Sequence, residues 1–259
     1  MRKQPFLYAL ILLLALSACA RTAAPSPAPT ESEPSETASL PTPEAVPTPS
    51  AEPSIWGART YQETPPGIGM PSCVLDLSVP FTVEEGPGYD AINEYYLQYL
   101  LSIIPDRIEK YGSEEEQPPR GPSESMRFDV VYEDDLTVSF LFLNYHDWGG
   151  AHGMYHMSSD NFDVVTGQKL TFSDFFTDQD EARRRIVAEV QKQIREETED
   201  VGYGESSEAG AKEYFDSDSF YLAQNGLVFY YQNTDLGNPT YGPHYFEIPN
   251  SLLEDIRIR

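Results

Sequence analysis

The chain has 259 residues, 17 basic against 42 acidic side chains and 22 prolines, which allows one or two ordinary domains plus unfolded length. A formal net charge of -25 makes nucleic acid and anionic lipid surfaces poor partners, because every approach is repelled. A content of 17 Tyr, 13 Phe and 2 Trp is too aromatic for a wholly disordered acidic chain, so part of it has a core.

The first segment is a targeting signal. Arg2 and Lys3 precede an apolar run from Phe6 to Leu16, too short for a bilayer of about 30 Å. The run ends in Leu16-Ser17-Ala18-Cys19, which resembles the bacterial lipobox: residues 1–18 are expected to be removed and Cys19 to be lipidated. The mature chain would keep 15 basic and 42 acidic side chains, so lipid rather than charge would hold it at the membrane. Residues 19–54 carry nine of the 22 prolines among Ser, Thr, Ala and Glu. They are expected to be a disordered linker, reaching about 110 Å if fully stretched as polyproline II.

The folded part is expected from Ile55 onward as an α+β fold: two consecutive halves, 55–157 and 158–259, with antiparallel sheets each packed by a helix. With Cys19 acylated, Cys73 is the only other cysteine, so no intramolecular disulfide can form. Cys73 opens the alternating run to Val79, where a buried apolar role is expected. Ile92, Tyr95, Tyr96, Tyr99, Leu100, Ile103 and Ile104 recur at helical spacing between Tyr89 and Tyr111, and Pro105 is expected to kink or end that helix. Strands are predicted over Met126–Tyr132 and Leu136–Tyr145 around the turn Glu133-Asp134-Asp135. A strand pair is predicted from Met154 to Val165, before the turn Thr166-Gly167. Thr177 is expected to cap a helix over 178–199 that buries Ile186, Val187, Val190 and Ile194, with Glu181–Arg185 and Lys192–Glu196 pairs on its exposed side. Three strands are predicted to follow, Phe220–Ala223, Leu227–Gln232 and Tyr245–Ile248, the first two joined by Gln224-Asn225-Gly226.

The candidate chemistry is concentrated between His146 and His156, with His152 and Asp147. A zinc site with three ligands and a water is the sharp reading. The spacing argues against it, since His152 and His156 flank Gly153 ahead of a strand rather than sharing a helix face. Structural histidines are the expectation, with no metal and no cofactor. No Gly-x-Ser-x-Gly elbow, phosphate-binding glycine loop or Cys-x-x-Cys pair is present.

Gly149-Gly150-Ala151-His152, then Asn161-Phe162-Asp163, Thr166-Gly167, Leu170 and Asp174-Phe175-Phe176, form a motif string. Together with Gln224 to Tyr230, Tyr241-Gly242-Pro243 and Ile248-Pro249, it resembles the PdaC/RsiV-like extracytoplasmic domains, named for a peptidoglycan deacetylase and a lysozyme-sensing anti-sigma factor. The similarity spans about residues 73–253, a PdaC-like half followed by an RsiV-like half. It implies an extracytoplasmic binding or sensor module. The deacetylase's metal-dependent domain has no counterpart here, so no enzyme is expected.

Two partner classes follow. One is a cationic wall hydrolase such as lysozyme, steered by the acidic head. The other is cell-wall glycan, stacked on aromatics such as Trp148, Tyr241 and Tyr245. The turn-rich segment 233–244, with Asp235, Tyr241 and Pro243, and Tyr245 directly after it are the expected contact surface.

Overall fold

The computed structural model describes residues 54–63, 75–112, 123–147, 153–197 and 201–258. Cys19, nearly all of the expected linker, Cys73, Trp148 and the Gly149–His152 motif lie outside these residues. Among the described residues no helix is long and apolar enough to cross a membrane.

The fold is mixed α+β. Six strands form one sheet in chain order: β1 (Gly57–Glu63), β2 (Leu75–Phe81), β3 (Ser123–Glu133), β4 (Thr137–Asp147), β5 (Met154–Asp163) and β6 (Lys169–Leu170). Neighbours are antiparallel except β2 and β3, which run parallel. This corrects the expectation of purely antiparallel sheets. Between them lies α1 (Pro87–Gly112), and a helix of that length is the crossover that parallel neighbours require. Pro105 does not end α1. The carbonyl its ring frees is that of Leu101, whose side chain is exposed, so water can reach that side of the helix.

The β3–β4 turn forms where expected, with Asp134 Oδ1 accepting from the N–H groups of Leu136 (2.9 Å) and Thr137 (2.7 Å). Met154 to Val165 does not make a strand pair. It contributes the single strand β5, along which Thr137 to His146 of β4 pair continuously, and the short β6 closes back on it. The division expected at 157/158 therefore falls inside β5.

After α2 (Phe172–Phe175) comes α3 (Gln179–Glu196). Its cap is Asp178, which accepts from Glu181 N–H at 3.0 Å; Thr177 instead donates through N–H and hydroxyl to the Ile256 carbonyl. Glu181 pairs with Arg185 as expected, but Lys192 pairs with Glu189, on the turn before it, rather than with Glu196 on the turn after. The short α4 (Ser207–Glu213) leads to a second, antiparallel sheet of β7 (Phe220–Ala223), β8 (Gly226–Tyr231) and β9 (His244–Pro249), and α5 (Asn250–Leu253) follows it. Gly226 belongs to β8 rather than to the turn, because its backbone lies so close to β9 that a Cβ would stand 2.0 Å from the Ile248 carbonyl oxygen.

The layers are α1, first sheet, second sheet, α3. Alternation along β4 shows why. Val138, Phe140 and Phe142 pack with Ile92, Tyr96 and Leu100 of α1, while Leu141 turns to the other face with Met157, Tyr221, Val228 and Tyr230. Leu227 and Phe229 of β8 join Ile186, Val190 and Ile194 of α3 in the third layer of core. Between the sheets a buried polar relay aligns the strands: Ser139 Oγ donates to Asn161 Oδ1 (2.6 Å), Asn161 Nδ2 to the Phe220 carbonyl (3.2 Å) and Leu222 N–H to Ser139 Oγ (3.2 Å). A satisfied relay of this kind favours one sheet-to-sheet register over its neighbours.

Candidate functional site

Side chains at even positions of β4 and β5 face α1. Glu124 on β3 lies opposite His146 on β4, and Asn144 lies opposite His156 on β5, so the two histidines are diagonal neighbours on one face. Glu124 is buried at 3% exposure. Its charge is compensated by Arg107 of α1, whose Nε donates to Oε1 at 2.7 Å, while Oε2 stands 3.6 Å from His146 Nδ1. Burial pulls the His146 pKa down, against an opposing pull from Glu124. His156 is exposed and lies within electrostatic reach of both His146 and Asp235. Among the described residues no group of three or more His, Cys, Asp or Glu is arranged to hold a metal.

A second polar node continues the strip. Tyr96, fully buried, donates its hydroxyl to Asp160 Oδ2 at 2.9 Å, and Lys169 stands 2.5 Å from Asp160 Oδ1. Burial alone would lower the Lys169 pKa, but Asp160 beside it raises it. Lys169 Nζ lies 3.4 Å from Tyr95 Oη and 5.7 Å from its ring centre. Tyr95 and Tyr99, one helical turn apart, are 38% and 39% exposed. Burial raises the Tyr99 pKa, and Arg107, Asp160 and Glu124 are all close enough to act on it, so it is within electrostatic reach of both nodes.

Sequence reasoning singled out the histidines and missed Glu124, Arg107, Asp160 and Lys169. One signal was available. Glu124 stands on the apolar parity of an alternating strand, in step with Met126, Phe128 and Val130, where an acid needs a buried partner.

The expected contact segment is a well-braced loop. Asp235 Oδ2 accepts from Gln232 N–H at 2.7 Å, Asn238 N–H donates to the Gly202 carbonyl at 2.9 Å, and Tyr203 bridges to Gly237. Asp235 is half-buried, which raises its pKa. Tyr241, at the end of the 3-10 turn Pro239–Tyr241, is 46% exposed and Pro243 is partly buried. Tyr245 faces the first sheet: its hydroxyl donates to Met157 Sδ at 3.2 Å, and burial pushes its pKa up to about 12. Of the four, Tyr241 alone offers a broadly exposed side chain.

The motif residues Asp163 and Gly167 form a turn that docks on α1. Asp163 Oδ1 accepts from the N–H groups of Val165 (3.1 Å) and Thr166 (2.9 Å), and Gly167 takes a φ of +72°. A Cβ on Gly167 would stand 2.4 Å from that of Ala91, so the glycine is required twice over, by conformation and by contact. These residues build the fold. An open cleft of about 410 Å³, lined by Phe172, Asp180, Arg183, Phe215 and Asp216 among others, shares none of the residues above.

Residues 173–251 match the family model described as a protein of unknown function, DUF3298. That stretch runs from α2 to α5 and holds the whole second sheet. None of the curated proteins matches the chain. Among solved structures, a DUF3298 family member from Bacteroides fragilis NCTC 9343 superposes with a TM-score of 0.62 at 18% identity, covering 79% of this chain and 93% of that one. A second, from Pseudomonas aeruginosa PAO1, gives a TM-score of 0.58 at 18% identity over 80% and 95%. The likeness is one of fold, and it extends well beyond residues 173–251.

Proposed function

We propose that the chain is a non-catalytic, lipid-anchored binding module on the outer face of a bacterial membrane, of PdaC/RsiV-like type, and that it captures a cationic wall hydrolase such as lysozyme. Cys19 is its anchor and residues 19–54 its tether. The observation that supports this most is the charge of the folded part: 37 acidic against 14 basic side chains over residues 55–259. Arg107, Arg127, Lys169, Arg184, Arg185, Lys192 and Arg195 are already engaged in ion pairs, so the surface left over is strongly anionic. Such a field raises the encounter rate with a basic protein and is screened by salt. Tyr241 on its braced loop supplies an aromatic contact at modest entropy cost.

The test is association of the full-length chain with immobilised lysozyme as salt is raised. Binding is expected at low salt, falling steeply towards about 0.15 M, where the Debye length is about 8 Å. Tyr241→Ala is expected to weaken what persists at high salt. Absence of binding at low salt overturns the reading. A second reading, attachment to wall glycan, is favoured by one specific observation, the exposed Tyr95 and Tyr99 beside Asp160.

A further inference from the structure

The strip between α1 and β5 differs from the rest of the surface in charge. Three of the 14 basic side chains of residues 55–259, Arg107, Lys110 and Lys169, act here together with His146 and His156. They face Glu124 and Asp160, each held in an ion pair. In a head this acidic, the strip is a place where the negative field is cancelled, and a small cation gains least there. Nor does the strip suit a free phosphate, because Arg107 and Lys169 are already committed to carboxylates.

The remaining chemistry is that of an uncharged, hydroxyl-rich ligand. Tyr95 and Tyr99 supply half-exposed aromatic surface on one side. Along β5, His156, Ser158 and Asp160 share the same face and are exposed or partly exposed, and Asn144 lies across from His156. Imidazole, amide, carboxylate and hydroxyl groups in a row can donate to and accept from ring hydroxyls. From His156 to Asp160 the strand advances about 13 Å, longer than one pyranose ring. Aromatic side chains beside a few polar groups supply the apolar contact and the orienting hydrogen bonds that a small-ligand site combines.

We propose that this strip is a subsite for a neutral hexopyranose chain, with Tyr95 and Tyr99 stacking on the rings and Asn144, His156 and Ser158 holding their hydroxyls. The subsite deepens the second reading above and is independent of hydrolase capture.

The experiment titrates the full-length chain with chitotetraose and, separately, cellotetraose, following binding by saturation-transfer NMR and calorimetry. Binding of either is expected, with at least a tenfold loss for Tyr99→Ala, a smaller loss for His156→Ala and no change for Tyr241→Ala. Ser158→Trp, which fills the strip without removing a core side chain, is expected to abolish binding and covers the case in which Tyr99→Ala does not fold. The proposal is overturned if neither tetrasaccharide binds, or if Ser158→Trp binds as well as the parent chain. Lysozyme association of the Tyr99→Ala, His156→Ala and Ser158→Trp variants is expected to stay unchanged, so failure of the glycan arm leaves the hydrolase arm to be judged on its own.

Discussion

The side chain of Gln232 clamps the backbone of Met157: its Nε2 donates to the Met157 carbonyl at 2.9 Å and its Oε1 accepts from the Met157 N–H at 2.9 Å. These are the groups of β5 that face away from β4, and β6 is too short to reach them. A side-chain amide thus takes the place of a missing strand. Elsewhere the second sheet is closed in the same way, since Gln193 Nε2 donates to the Glu247 carbonyl of β9 at 2.8 Å and Ser159 Oγ to the Phe220 carbonyl of β7 at 2.7 Å. Edges covered by side chains are poor templates for further strands.

Gln232→Leu keeps the bulk and removes both hydrogen bonds. Leaving the two Met157 groups unpaired at a buried residue is expected to cost about 1–3 kcal/mol. Urea unfolding measures it as a lower midpoint with an unchanged slope. A midpoint equal to the parent's would mean that water serves β5 as well as Gln232 does.

Gly88 and Gly204 make a matched pair of tests. At Gly88 a Cβ would stand 1.9 Å from the Val164 carbonyl oxygen, at the place where the Asp163–Gly167 turn docks on α1; at Gly204 nothing lies within 4 Å. Gly88→Ala is expected to destabilise by about 1–3 kcal/mol, because backbone must move on both sides. Gly204→Ala should stay within about 0.5 kcal/mol of the parent. Thermal melts of the two variants side by side decide it, and equal melting points would dismiss the close approach.

What the sequence made legible was local. The α3 stripe, the Asp134 turn and the three strands of the second sheet follow from spacing and turn chemistry within a few residues. The parallel pairing of β2 with β3 and the run of β5 across the expected boundary depend on partners far along the chain, and periodicity carries no record of them. The site divides the same way. His146 and His156 stood out by type, but Glu124 and Asp160 gain meaning only when α1 brings Arg107 and Tyr96 to them, and Lys169 arrives from β6. Asp163 and Gly167 stand in the motif string, and their contacts explain them as a turn that fastens α1 to the sheet.

Cys19→Ala addresses the anchor. Lipidation at Cys19 should place the parent chain in the membrane fraction, and the variant is expected to appear in the soluble fraction or as unprocessed precursor. Mass spectrometry of the mature N-terminus checks the same point directly, as a diacylglyceryl adduct on Cys19. Normal processing with unchanged membrane retention of the variant would remove the lipoprotein reading.

The last prediction concerns acid. His244 begins β9 with 7% exposure; its ring lies 4.8 Å from that of Tyr203, and its buried Nε2 has no hydrogen-bond partner. Burial is the cause that lowers its pKa below the ordinary 6.5. As pH falls through 6.5 the unfolded chain therefore takes up the proton first, and stability that is fully present above that value is lost until the folded-state pKa is reached. His146 adds to the loss in the same direction, burial outweighing the pull of Glu124. Asp235, whose pKa burial raises above the ordinary carboxylate value of 3.8, works in the opposite sense. Unfolding free energies at pH 7.5, 6.5 and 5.5 are expected to fall, with at most about 1.4 kcal/mol per pH unit for each proton. His244→Phe removes one such proton and keeps a ring against Tyr203, so its profile should be flatter than the parent's by up to that amount. If the two profiles run parallel, His244 takes up its proton equally in the folded and unfolded states and the loss belongs to other groups.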